Sequence, residues 1–159
     1  MKLTLDESLL VATVIDAARE GMRVRGELLP VAVILKPTGD EIVGFGWFDE
    51  ATKVAAFKLV RERARGAYLT VLVSEVWMLN GEEAQLALDG RVPMPHEHPN
   101  RVDSVAFAVS TSRGITVGTA PVVVRDGVRT FDEVRWSEHS EGRYVDLMMG
   151  QINGEERHG

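Results

Sequence analysis

There is no cysteine among the 159 residues. That one absence removes disulfides, thiolate nucleophiles and cysteine-ligated zinc or iron–sulfur centres together, and it fits a reducing, cytoplasmic location. Long apolar runs are also missing. The longest, "LLPVAVIL" and "AYLTVLVS", fall well short of the roughly 18 residues that a membrane-spanning helix needs. The opening stretch carries Asp6, Glu7 and Asp16, which the apolar core of a secretory signal would not contain. Basic charge is in deficit. With 18 Lys and Arg against 24 Asp and Glu, the formal charge of -6 sets up an average field that repels nucleic acid and anionic membrane.

What remains is ordinary globular material. Hydrophobic residues make up 45% and charged residues 26%, enough for a real core in a chain of one-domain length. Residues 1–152 read as a single domain, and "NGEERHG" at 153–159 as a mobile polar tail.

Thr4 followed by Glu7 has the spacing of a capping box, and Val11, Val14, Ile15, Ala18 and Met22 recur at helical intervals, predicting a first helix over about 6–20. Residues 28–36 and 41–48 are β-rich and flank the turn "PTGD", which predicts an antiparallel hairpin. Asp49 can cap a second helix running to about Ala64, with Val54, Phe57 and either Leu59 or Val60 inward and Gly66 ending it. "AYLTVLVSEVWML" is apolar on both alternations up to Ser74 and Glu75, as a central strand covered on two faces would be. From 80 to 100 periodicity disappears and Gly and Pro accumulate, so a long loop is expected. "DSVAFAVS", "ITVGTAPVVVR" and "VRTFDEVRW" follow, separated by the turn signals "TSRG" and "DG"; they predict a three-stranded meander. Pro121, which has no N–H to give a ladder, belongs at an edge or a bulge. Val145, Met148, Met149 and Ile152 predict a last helix. The order α-β-β-α-β-loop-β-β-β-α is that of an α+β fold, a mixed and mostly antiparallel sheet packed with two or three helices.

Chemistry concentrates in "VPMPHEHPNR", residues 92–101. His96 and His98 form a His-x-His pair, which can present two imidazoles to one zinc ion from an extended backbone. A third ligand would come from Glu75, Asp103 or His139, and the alternative is a solvated loop whose path the prolines fix. Glu75 stands out physically. It shares a strand face with Val71, Val73 and Trp77, so its carboxylate interrupts an apolar row and needs a partner. Arg101, just ahead of the next strand, is the expected one, giving a binding cluster of Glu75, Trp77, His98 and Arg101.

"HEHP" resembles the His-x-His-Pro core of the JAMM-type zinc isopeptidases. The resemblance implies His96 and His98 as zinc ligands and Glu75 as the base that activates a water. Where that family places a serine and an aspartate after the proline, this chain has Ala106 and Val109. Over a longer stretch, "LTVLVSEVWM" with "HPNRVDSVAFAVSTSRG" resembles a poorly characterised group of small bacterial and phage proteins. These share a Ser-Glu-x-Trp-Met strand end and a His-Pro-x-Arg element. That second resemblance implies the fold and a link between the two motifs, and no activity.

Other signals are blander. Lys53, Lys58, Arg61, Arg63 and Arg65 make the second helix basic, yet no nucleic-acid-binding signature accompanies them and a solvated face is the simpler reading. Gly44 and Gly46 sit inside a strand pattern rather than at a helix start, so they do not form a phosphate loop. Ser104, Ser110 and Ser112 lack a Gly-x-Ser-x-Gly elbow. With no complete catalytic set, the chain reads as a non-catalytic binding or self-association module without a cofactor, most simply a homodimer. Trp47, Trp77, Trp136, Met148 and Met149 are available for partner surfaces. The alternative is a zinc-dependent hydrolase.

Overall fold

The computed structural model describes residues 1–44, 46, 50–78 and 102–137. The expected loop at 80–100, the last helix around 145–152 and the tail at 153–159 lie outside the described residues.

Helix α1 spans Leu5–Arg25. Its start is the expected capping box: the Thr4 hydroxyl accepts from the Glu7 amide, and the Glu7 carboxylate accepts from the Thr4 amide at 2.8 Å, so two orphan N–H groups are satisfied reciprocally. The helix continues past the expected end at residue 20 because Met22 still faces the core and is fully buried. Gly26 then stops it in the left-handed region at φ 80°, its N–H donating to the Met22 carbonyl, a conformation open to glycine at little cost.

Strands β1 (Val31–Lys36) and β2 (Gly39–Gly44) form the first hairpin around Pro37 and Thr38. Helix α2, Glu50–Arg63, leads to β3, Leu69–Met78. Of the two alternatives on α2, Val60 is buried and Leu59 is exposed. Strands β4 (Val102–Thr111), β5 (Gly114–Arg125) and β6 (Val128–Phe131) are the expected meander, followed by a short β7, Arg135–Trp136. The turn between β5 and β6 holds Asp126 at φ 53° and Gly127 at φ 76°, the two positive values that a twist-matched two-residue hairpin turn requires.

The architecture is α+β. The sheet order is β2-β1-β3-β4-β5-β6, with β7 also on β5. Every described pairing is antiparallel, so the expected mixture with parallel neighbours is absent among the described residues. Strands β2 and β3 both flank β1, and α2 crosses over β1 to join them. Helix α1 covers one face, where Val11 and Met22 pack with Leu28, Leu69, Val71, Val73, Phe107 and Phe131. Helix α2 covers the other, where Val54, Phe57 and Val60 meet Ala32, Ile34, Leu72 and Ala108. Fully burying a side chain such as Phe57 contributes about 2–3 kcal/mol.

The last two strands correct the expectation of one unbroken strand over 128–136. From Phe131 to Trp136 there are five steps, but their β5 partners Val122 and Gly118 are only four apart. One extra residue is therefore accommodated, as in a β-bulge. Pro121 lies opposite the break, its carbonyl accepting from the Asp132 amide at 3.0 Å. A position with no N–H is where a ladder can be interrupted at least cost. The bulge lets the sheet curl over α1: Arg19 donates to the Phe131 and Asp132 carbonyls at 3.4 Å and places its guanidinium 4.5 Å from the Phe131 ring centre. The Phe131 ring itself lies 5.8 Å from that of Phe107.

Two outcomes follow from these contacts. A Cβ at Gly118 would fall 2.6 Å from Val134 Cγ1 and under 3 Å from the Trp136 indole. Gly118→Ala should therefore cost about 1–3 kcal/mol in urea unfolding, while Gly44→Ala, with open space around it, should be close to neutral. Secondly, the Arg113 guanidinium, helped by the Thr4 amide, holds the Glu7 carboxyl below its ordinary value of 4.5. The stabilisation is thus present above that value and is lost as pH falls through the lower folded-state value. Thermal melting from about pH 6 to pH 3 should show wild type losing its advantage over Glu7→Gln; curves that stay parallel would contradict the assignment.

Candidate functional site: the Glu75 clamp

Glu75 sits on β3 opposite Val105 of β4, on the same alternation as the core residues Val71 and Val73. That face is turned to α1, so the carboxylate emerges at the margin of the apolar core, its side chain a quarter exposed. Both of its oxygens are engaged. Oε2 accepts from the Leu28 amide at 2.9 Å, and Oε1 lies 2.5 Å from Arg129 Nη2. The other arm of that guanidinium, Nη1, donates to the Gly26 carbonyl at 3.0 Å.

Each partner is delivered by a local feature already described. The Gly26 turn that ends α1 exposes a carbonyl and, two residues later, a free amide, both of which need partners. Arg129 shares a strand face with Phe131, and the curl of the sheet carries both towards α1. The result is a charge-assisted network joining the end of α1, the middle of the sheet and its far strand.

The partner expected for Glu75 is therefore present as a guanidinium, but it comes from Arg129 of β6. Arg101 lies outside the described residues, as do His96, His98 and His139. Trp77 pairs through its backbone with Asp103, and the Asp103 side chain is exposed. Among the described residues no three of His, Cys, Asp or Glu come together to hold a metal ion. Of the basic residues of α2, Arg63 reaches Glu41 at 3.2 Å, a carboxylate that Lys36 of β1 also reaches at 3.5 Å. Gly44 ends β2 and Gly46 lies beyond it, so the two glycines do not both sit inside the strand as expected.

No family model, no curated protein and no solved structure matches the chain. What Glu75 can do is read from its geometry alone. A carboxylate with a donor already on each oxygen retains lone pairs for water, but here it is held in place as an anchor. The residue that sequence reasoning missed is Arg129. Its signal was an arginine on the same alternation as an apolar neighbour in "VRTF", the pattern that had singled out Glu75 itself.

Removing one side of this clamp leaves the other charge half-buried without its partner. Arg129→Ala and Glu75→Gln should each lower unfolding free energy by about 1–3 kcal/mol. The double variant should lose less than the sum of the two, by about 1 kcal/mol in a double-mutant cycle. Strict additivity would mean that the pair contributes nothing as a pair.

Proposed function

We propose that the chain is a non-catalytic binding module that associates with a second copy of itself through the outer face of α1. The observation that carries this reading is a set of exposed apolar side chains on that face, interspersed with Asp16, Glu20 and Arg23. Leu5, Leu9, Leu10 and Val24 are 76%, 59%, 38% and 68% exposed, on a helix whose opposite side already fills the core. Single exposed leucines need no explanation; several along one helix mark an interaction surface.

A second copy is the occupant that suits its chemistry. With Glu7 already paired to Arg113 and Arg23 to Glu20, the first turn offers Asp6 and the last turn Arg25, so two α1 helices related by a two-fold axis run antiparallel with an acidic turn beside a basic one. Midway, Thr13 and Ala17 are small and exposed, which allows close approach, and the larger Leu9 and Val24 pack toward the two ends. The engagement of both Glu75 oxygens supports a non-catalytic role. A cytoplasmic setting and kinship with the small bacterial and phage proteins belong to the same reading. Among the described residues no helix is long and apolar enough to cross a membrane.

Light scattering on the purified chain should give twice the 17.5 kDa mass. Leu9→Glu and Val24→Glu, both at exposed positions, should each weaken association about tenfold without loss of folding. A wild type that stays monomeric at about 100 µM, a concentration that populates even weak dimers, would end the proposal. Zinc bound stoichiometrically to untagged protein would favour the hydrolase built on His96 and His98 instead.

A further inference from the structure

Self-association through α1 leaves a second surface unused, the free edge of the sheet at β2. Among the described residues no strand lies beyond β2. The hairpin register, with Lys36 opposite Gly39 across the turn at Pro37 and Thr38, fixes which groups that edge presents. The pair that closes a two-residue turn exchanges both of its hydrogen bonds, and hydrogen-bonded pairs then alternate along the ladder. Gly39, Glu41 and Val43 therefore turn their N–H and C=O groups to β1, while Asp40, Ile42 and Gly44 turn theirs outward. The result is a row of donors and acceptors on which another strand can pair.

Ile42 is the informative residue. It lies opposite Val33, which packs against the core beneath α1, so it faces the same side as that helix. Helix α1 packs on β3 and β6 and leaves Ile42 75% exposed. Its neighbours on the other face are accounted for: Val43 packs with the cluster beneath α2, and the Glu41 carboxylate is held by Lys36 and Arg63. The far edge of the sheet is different. Strand β6 has only 4 residues and is followed by the bulge, two features that keep an edge from pairing.

A second copy of β2 is the strand that this edge fits. Two copies meeting antiparallel about a two-fold axis normal to the sheet have few registers open to them, because outward groups pair only with outward groups. Centring the pair on Glu41 sets that carboxylate against its own copy, and like charges directly opposite are destabilising. Centring it on Val43 leaves Asp40 with no opposite residue in the strand. Centring it on Ile42 sets Ile42 against Ile42 and Asp40 against Gly44, so every outward N–H and C=O of β2 meets a partner and no carboxylate faces another. The two pairs of Val33 and Ile42 then form one apolar row across the shared sheet. We propose that β2 pairs with β2 of a second copy in this register. The contact is independent of the one through α1. Two isologous contacts on one chain do not both close at two copies, so together they build assemblies larger than a dimer. With a single isoleucine at its centre the β2 contact is the weaker, and these assemblies form only above the concentrations that give the α1 dimer.

The absence of cysteine allows a direct test on the full chain carrying Leu9→Glu, which weakens the α1 contact. In the proposed register the two copies of residue 42 have Cα atoms about 5.5 Å apart, inside the roughly 4.4–6.8 Å that a disulfide spans. With oxidised glutathione as the acceptor of the two electrons, Ile42→Cys should therefore form a disulfide-linked dimer about tenfold faster than Asp40→Cys, whose two copies lie at opposite ends of the paired strands. Hydrogen exchange needs no change at the edge. In the Leu9→Glu chain it should slow at the Ile42 and Gly44 amides as concentration rises from about 20 µM to about 1 mM, and stay constant at Glu41 and Val43, whose amides already donate to β1. Equal linking of the two cysteine variants, or exchange at Ile42 that does not respond to concentration, would overturn the β2 contact and leave the α1 contact standing. Fast linking through residue 42 in a chain whose association Leu9→Glu does not weaken would do the reverse.

Discussion

Glu75, Arg129, Leu28 and Gly26 bring three distant parts of the chain to one point, and the placement of α1 depends on that meeting. An anion at the margin of an apolar face is tolerated only with charge and hydrogen bonds supplied to it. Here the supply is mutual. The helix end offers an amide to the carboxylate and a carbonyl to the guanidinium, and the two side chains neutralise each other. Remove any one of the four groups and another is left half-buried without its partner. The clamp thus specifies how α1 sits on the sheet, beyond what non-directional apolar packing can specify.

The two faces of the sheet are held differently. Helix α2 is joined to both of its flanking strands by short segments and rests on β1, β3 and β4 at their midpoints. Helix α1 is joined to the sheet at its C-terminal end only, and its other attachments come from β6 through Arg19 and Phe131 and from the β4–β5 turn through Arg113. The bulge beside Pro121 makes the first of these possible, because it bends the edge of the sheet towards the helix.

Much of this was legible in the chain. The capping box at Thr4 and Glu7, the "DG" turn, the doubly covered β3 and the displacement of Pro121 to an irregular position each have a local cause and can be read locally. The need of Glu75 for a cation was legible for the same reason, since a charge in an apolar alternation is visible in one strand. Which cation met it was not. Arg101 was favoured by closeness in sequence, whereas Arg129 arrives through the curvature of a whole sheet, which follows from a single extra residue between Phe131 and Trp136.

The Arg19 to Asp132 contact spans 113 positions. Helix α1 precedes in the chain every strand that covers it, and that cover includes the β6 strand near the far end of the described residues. At ribosomal speeds of about 5–20 residues per second, the part of its cover that β6 supplies therefore follows the helix by on the order of ten seconds.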